Sequence, residues 1–248
     1  MRAYALQILL CLSLGTNSRC KPKDVPQAEI YRDDAVILCF HDIGRQGRYA
    51  ITEANFQRIL DMLTEYQVVS FDTWVGGGIK QAVVLTFDDG YAAHREIVLP
   101  ELLRRKFGAT FYFYADQLKR DKTWQDIMKH PPSGISFGSH SWSHSLMREL
   151  PYAELFRELY LARTYLESVS GRQILSFAWP YGFYPDTGIV AARDAGFRFQ
   201  LSVDYRVAKP ADAARVIPRY TVFGKDPVGQ VQGILSHFRP ERPAGSGR

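Results

Sequence analysis

Cysteine is scarce in this chain: only Cys11, Cys20 and Cys39 occur in 248 residues. That is too few for a disulfide framework, and the spacing is not that of a cysteine-rich zinc module. No apolar run reaches the roughly 20 residues a membrane span requires. Dense lysine or arginine runs are missing too. The 31 basic and 26 acidic residues leave a net charge of +5, which argues against a nucleic-acid partner and suits an anionic cell surface equally well. Gly76-Gly77-Gly78 lacks the Lys-Ser/Thr that would make it a phosphate loop, and reads as a flexible joint. There is no internal repeat and no low-complexity segment.

What is present is the composition of a globular enzyme-sized domain. At 46% hydrophobic residues the chain can bury a sizeable core, and its length suits a single barrel. Met1-Arg2, an apolar stretch over 3–14 and Gly15-Thr16-Asn17-Ser18 have the layout of a secretory signal peptide. We therefore expect residues 1–19 to be a signal and the protein to be exported, to the periplasm, the cell envelope or the medium. Arg19 stands where a lipidated cysteine needs a small neighbour, which speaks against an anchor at Cys20. Residues 20–34 read as a linker, 35–238 as the domain and 239–248 as a polar tail.

Within the domain, Ala35-Val36-Ile37-Leu38-Cys39-Phe40 is an apolar run that ends on His41-Asp42, and Ala82-Val83-Val84-Leu85-Thr86-Phe87 ends on Asp88-Asp89-Gly90. Each reads as a buried strand delivering polar groups to its C-terminal end, where α/β folds keep their chemistry. Cys39, inside such a run, reads as a buried thiol. Further strand ends fall near 71, 114, 138, 178 and 204. Helices are expected over 52–67, capped by Thr52, from 91 to about 106, and over 124–129, 152–170, 186–195 and 227–238. The alternation predicts a parallel β/α barrel or open sheet.

Gly138-Ser139-His140-Ser141-Trp142-Ser143-His144 places two histidines four residues apart. On a helix they would share one face, and two imidazoles with a carboxylate suit a divalent metal, most often zinc, leaving one coordination position open for catalysis.

Thr86-Phe87-Asp88-Asp89-Gly90, His140-Ser141-Trp142-Ser143-His144 and Trp179-Pro180-Tyr181-Gly182 follow in that order, with Ser170-Gly171-Arg172 after the long helix. Together they resemble the motifs of the polysaccharide deacetylases, carbohydrate esterase family 4. The resemblance implies a distorted (β/α)7 barrel and N-deacetylation of a β-linked N-acetylglucosamine polymer with release of acetate. It assigns Asp89, His140 and His144 to one divalent metal ion, zinc or else cobalt or nickel, and Asp88 to the general base. The backbone N–H of Tyr181 would stabilise the oxyanion, and Trp179 and Trp142 would line the sugar site. The general acid has two candidates. His237, in Ile234-Leu235-Ser236-His237, follows the commoner layout. His41, in Leu38-Cys39-Phe40-His41, follows a permuted subgroup that includes the biofilm poly-N-acetylglucosamine deacetylases, and is preferred because it ends a core strand.

Two departures stand out. Ala178 occupies the position of an arginine that braces the catalytic Asp, and the fourth motif is only suggested by Leu201-Ser202-Val203-Asp204-Tyr205, where Asp204 either orients the acid or is a turn residue. His94 and His130 match no motif and read as surface residues. The expected substrate is biofilm β-1,6-linked poly-N-acetylglucosamine, with proteins of an exopolysaccharide export system as further partners. Peptidoglycan, chitin oligomers and a catalytically silent glycan-binding barrel are the alternatives.

Overall fold

The computed structural model describes residues 33–44 and 47–238. The expected signal, the lipidation question at Cys20, most of the linker and the polar tail lie outside the described residues.

All the strand pairings follow from buried, β-branched or aromatic segments. In chain order the strands are β1 (Ala35–Phe40), β2 (Val68–Val69), β3 (Ala82–Phe87), β4 (Ala109–Phe113), β5 (Ile135–Ser139), β6 (Ser176–Ala178), β7 (Phe199–Leu201) and β8 (Tyr220–Thr221). They form one parallel sheet in the order β7-β6-β5-β4-β3-β1-β8, with β2 paired to β3 beside that path. The sheet curls until its two ends meet. Ser202 N–H donates to Ile217 O at 2.9 Å and Ile217 N–H to Gln200 O at 2.7 Å, so the segment leading into β8 is bonded to β7 while β8 itself is bonded to β1. This is the distorted barrel the sequence implied.

Period-two alternation sorts the side chains into two cores. Ala35, Ile37, Ala82, Val84, Tyr112, Ala178, Leu201 and Ile217 fill the inside of the barrel. Val36, Leu38, Phe40, Val83, Leu85, Phe87 and Phe111 face the surrounding helices. Tyr112 can occupy the barrel interior because its neighbour in the sheet is glycine: a Cβ on Gly138 would lie 2.2 Å from Tyr112 Cε1.

The helices are α1 (Glu53–Met62), α2 (Phe71–Val75), α3 (Leu99–Arg105), α4 (Ala115–Leu118), α5 (Lys122–Lys129), α6 (Tyr152–Ser170), α7 (Asp186–Asp194) and α8 (Pro227–Ser236). Thr52 caps α1, its Oγ1 accepting from Asn55 N–H at 3.2 Å, and α6 ends in left-handed Gly171 at φ 67°, both as the sequence predicted. Two expectations change. The strand expected to reach Phe71 stops at Val69, because Ser70 caps a helical turn that begins at Phe71. The helix expected from residue 91 begins with a π-helical turn, His94–Val98, before α3.

Candidate metal and catalytic site

The C-terminal ends of β1, β3 and β5 bring His41, Asp88, Asp89, His140 and His144 together. Parallel register explains the first pair. Phe40 is opposite Phe87, so the next residues, His41 and Asp88, share a level and a face.

Asp88 is buried at the mouth of the barrel and gripped by Arg219. Arg219 Nη1 donates to Oδ1 at 2.8 Å and Nη2 to Oδ2 at 2.7 Å. The arginine is itself fully buried; its Nε donates to Ser202 O at 3.0 Å, and its guanidinium lies 5.5 Å from the Tyr112 ring centre. The Cys39 thiol adds a weaker donor to Asp88 Oδ2 at 3.4 Å. Burial alone would push the Asp88 carboxyl up, but Arg219 and the neighbouring imidazoles outweigh it and hold the pKa at about 2. Arg219 therefore fills the bracing role that Ala178 leaves vacant. Sequence reading missed it, although Ile217 and Arg219 share one parity of an extended segment, and an isolated charge in phase with a core isoleucine points inward.

Asp89 sits in a tight turn with φ 72°, followed by Gly90 at φ 66°. Gln117 Nε2 fastens that turn by donating to Gly90 O at 2.5 Å. His140 and His144 share a site without being on a helix, the condition under which their spacing would have placed them on one face. Ser141 at φ 73° and His144 at φ 60° fold the chain back, which brings the two ring centres to 4.9 Å. Ser141 Oγ accepts from His144 N–H, and Glu158 of α6 accepts from both Ser143 N–H and Ser143 Oγ, each at 3.0 Å.

The donor set fits a divalent cation. His140 Nδ1 is 2.7 Å from Ala178 O; a carbonyl can only accept, so Nδ1 carries the proton and Nε2 offers its lone pair inward. Asp89 Oδ1 lies 3.4 Å from His140 Nε2 and 3.1 Å from His144 Nε2, close to the edge of a tetrahedron with arms of about 2.0 Å. The same Oδ1 is buried without a hydrogen-bond partner. Burial raises the Asp89 carboxyl, but the two imidazoles hold it well below the usual carboxylate range.

His41 stands beside Asp88, mostly buried, with Nδ1 unpartnered. Burial lowers its pKa, opposed by Asp88 and Asp89. Its own carbonyl receives His94 Nε2–H at 2.6 Å. His94 is thus no surface residue: it is fully buried, with burial pushing its pKa down to about 4, while His130 is exposed at the end of α5 as expected. His237 is exposed at the end of α8.

The aromatic assignments divide. Tyr181, left-handed at φ 60°, holds its exposed ring 4.8 Å from that of His144. Trp179 does not line a sugar site. It is fully buried, donates to Gln200 Oε1 at 3.2 Å and fits against Gly188 of α7. Trp142 packs on Tyr165 with the Lys119 ammonium over its ring, and is not among the cleft residues. Asp204 accepts from Tyr184 Oη and Ser202 Oγ rather than orienting His41. A cleft of about 370 Å³ opens over Asp89 and His144 between Tyr91 and Tyr114. It shares Tyr114 and Gln117 with a second cleft of about 400 Å³ lined by Asp116, Arg120, Asp121 and Ser143.

Comparison with known proteins bears on the family and the fold. Among curated proteins the chain is 26% identical over 137 residues to the peptidoglycan-N-acetylmuramic acid deacetylase PdaC of Bacillus subtilis, covering 54% of this chain and 29% of that protein. The chain spans less than half the length of the curated relatives it matches. Two solved structures share the fold. The Streptococcus pyogenes deacetylase PplD, solved in complex with acetate, has a TM-score of 0.71 at 18% identity, over 81% of this chain and 98% of that one. IcaB from Ammonifex degensii has a TM-score of 0.71 at 24% identity, over 83% and 98%. The family model for polysaccharide deacetylase matches residues 76–200, half of the chain, and the chain belongs to the polysaccharide deacetylase family.

Proposed function

We propose that this protein hydrolyses the N-acetyl groups of a β-linked N-acetylglucosamine polymer, releasing acetate, and that its substrate is β-1,6-linked poly-N-acetylglucosamine. The observation that carries the reading is the pairing of two adjacent carboxylates with opposite partners: Asp88 on Arg219, and Asp89 on His140 and His144. One is equipped to stay ionised as a base, the other to hold a cation.

Asp89, His140 and His144 would hold one divalent ion, and the two-imidazole, one-carboxylate set suits zinc, with cobalt and nickel also accepted. When bound, such an ion polarises the acetyl carbonyl and brings the pKa of water to about 7. Asp88, ionised throughout the neutral range, takes the proton of the attacking water, and Arg219 keeps the carboxylate aimed while remaining charged. A positioned base of this kind contributes roughly a hundred- to ten-thousandfold. The Tyr181 N–H is the donor proposed for the developing oxyanion. His41, beside Asp88 at the end of β1, delivers the proton that the departing amine needs; His237, exposed at the end of its helix, is the poorer candidate. The two clefts beside the cluster, which share Tyr114 and Gln117, favour an extended substrate over a monosaccharide.

The apolar N-terminal segment supports export to the cell envelope or beyond, where such polymers lie. Peptidoglycan is the second reading, favoured by the sequence similarity to a protein named for that substrate.

The test is acetate release from β-1,6-linked N-acetylglucosamine oligomers with and without chelator, beside Asp88→Asn and His41→Ala. Chelator-sensitive release that both substitutions abolish supports the reading. Activity that survives His41→Ala moves the acid elsewhere. Release from peptidoglycan fragments alone keeps the chemistry and changes the substrate.

A further inference from the structure

Two aromatic rings that the proposed chemistry does not use form a pair, one of which stands beside His41. Tyr49 lies on the loop after β1 and Phe223 just beyond β8, so both are at the barrel end that carries the site. Their ring centres are 5.5 Å apart in an edge-to-face arrangement, and Tyr49 is 5.3 Å from the His41 imidazole. They nevertheless remain 43% and 39% exposed. The Arg48 guanidinium, also exposed, is 5.4 Å from the Tyr49 ring centre.

We propose that Tyr49 and Phe223 form a stacking subsite for a pyranose ring of the substrate chain, next to the sugar being deacetylated and on its His41 side. The inference rests on the deacetylase reading and deepens it, because it makes the preferred substrate a polymer held by a neighbouring sugar. In that reading His41 faces the departing amine, so the sugar carrying the amine lies on the His41 side of Asp89 and His144. The adjoining sugar falls one ring further on, where Tyr49 and Phe223 are. A β-linked glucosamine ring directs its ring hydrogens to its two faces and its hydroxyls to its rim. Such a disc stacks on an aromatic face while its rim stays available for hydrogen bonds, the combination that an exposed tyrosine-phenylalanine pair offers. Arg48 supplies donors at the same step. The two clefts that share Tyr114 and Gln117 give the chain room to continue beyond Asp89 and His144.

The experiment measures binding apart from turnover. The full chain carrying Asp88→Asn is titrated calorimetrically with β-1,6-linked and, separately, β-1,4-linked N-acetylglucosamine oligomers of two and five residues. We expect the five-residue oligomer to bind more tightly, and Phe223→Ala or Tyr49→Ala, each added to that protein, to remove about five- to tenfold of that preference. Tyr49→Phe should keep it, since the ring face and not the hydroxyl makes the contact. Thermal melting checks that each variant is folded. The proposal is overturned if the preference for the longer oligomer is unchanged in both alanine variants, if both oligomers weaken equally, or if no oligomer binds the parent. Length-dependent binding without any acetate release by the unsubstituted protein would instead remove the deacetylase reading and leave the subsite standing.

Discussion

Arg219→Met tests the electrostatic centre of the site. Methionine keeps most of the volume but removes the charge and both bonds to Asp88, leaving a carboxylate only 2% exposed with the Cys39 thiol at 3.4 Å as its remaining side-chain donor. Breaking a buried ion pair from one side costs about 3–5 kcal/mol at neutral pH, equivalent to about 10 °C in Tm for a chain of this size. In the parent, the Asp88 pKa of about 2 lies below the ordinary aspartate value of 3.8. Its ionisation therefore stabilises the fold fully above about pH 4, by about 2 kcal/mol, and that contribution is lost as the pH falls toward 2. In the variant burial is no longer outweighed, the carboxyl pKa rises above its unfolded value, and the sign reverses. Lowering the pH through the raised pKa then stabilises the variant, so the gap between the two proteins narrows from pH 7 toward pH 4. Urea midpoints at half-unit pH steps measure this directly, and the acidic limb of acetate release should move toward neutrality in the variant. A Tm within about 3 °C of the parent, or a destabilisation that stays constant from pH 4 to 7, would refute the argument that Asp88 depends on Arg219.

Three further outcomes are expected. Glu158→Ala, which frees Ser143 and with it the turn carrying His144, should weaken zinc binding about 10–100-fold in a competition titration while leaving the far-ultraviolet circular dichroism unchanged; unchanged affinity would show that the turn holds itself. Gly138→Ala forces a methyl group onto the Tyr112 ring and should destabilise the fold by about 1–3 kcal/mol in urea unfolding, an effect that an adaptable barrel interior would erase. Cys39, whose thiol is pushed well above its usual pKa by burial, should resist iodoacetamide in the native protein at pH 8 and react once urea unfolds it, as read by mass spectrometry of its peptide; rapid native labelling would contradict the packing around Asp88.

The residues that were legible in the sequence are those whose role is declared locally. His41, Asp88 and His140 each follow a buried strand, and strand ends in a parallel barrel converge whatever their separation in the chain. The pairing of His140 with His144 was anticipated on a helical premise that the structure replaces with two left-handed residues, so the spacing mattered and the conformation did not. Trp179 was misplaced because adjacency to a motif was given more weight than parity: Ala178 faces the barrel interior, so its neighbour faces the helices. His94 carried a readable signal, since it is in helical phase with Val98 and Leu102, both fully buried. Arg219 was harder. It comes from the segment just before β8, not from a strand end, and its partner Asp88 lies far away in sequence, so only closure of the barrel joins them. That closure also accounts for the substitution at Ala178. Inward positions on every strand look into the same interior, so an arginine that reaches the catalytic carboxylate can be supplied from the strand after β5 or from the closing seam. The chain meets a fixed requirement, a buried guanidinium under Asp88, from a position that motif order does not specify.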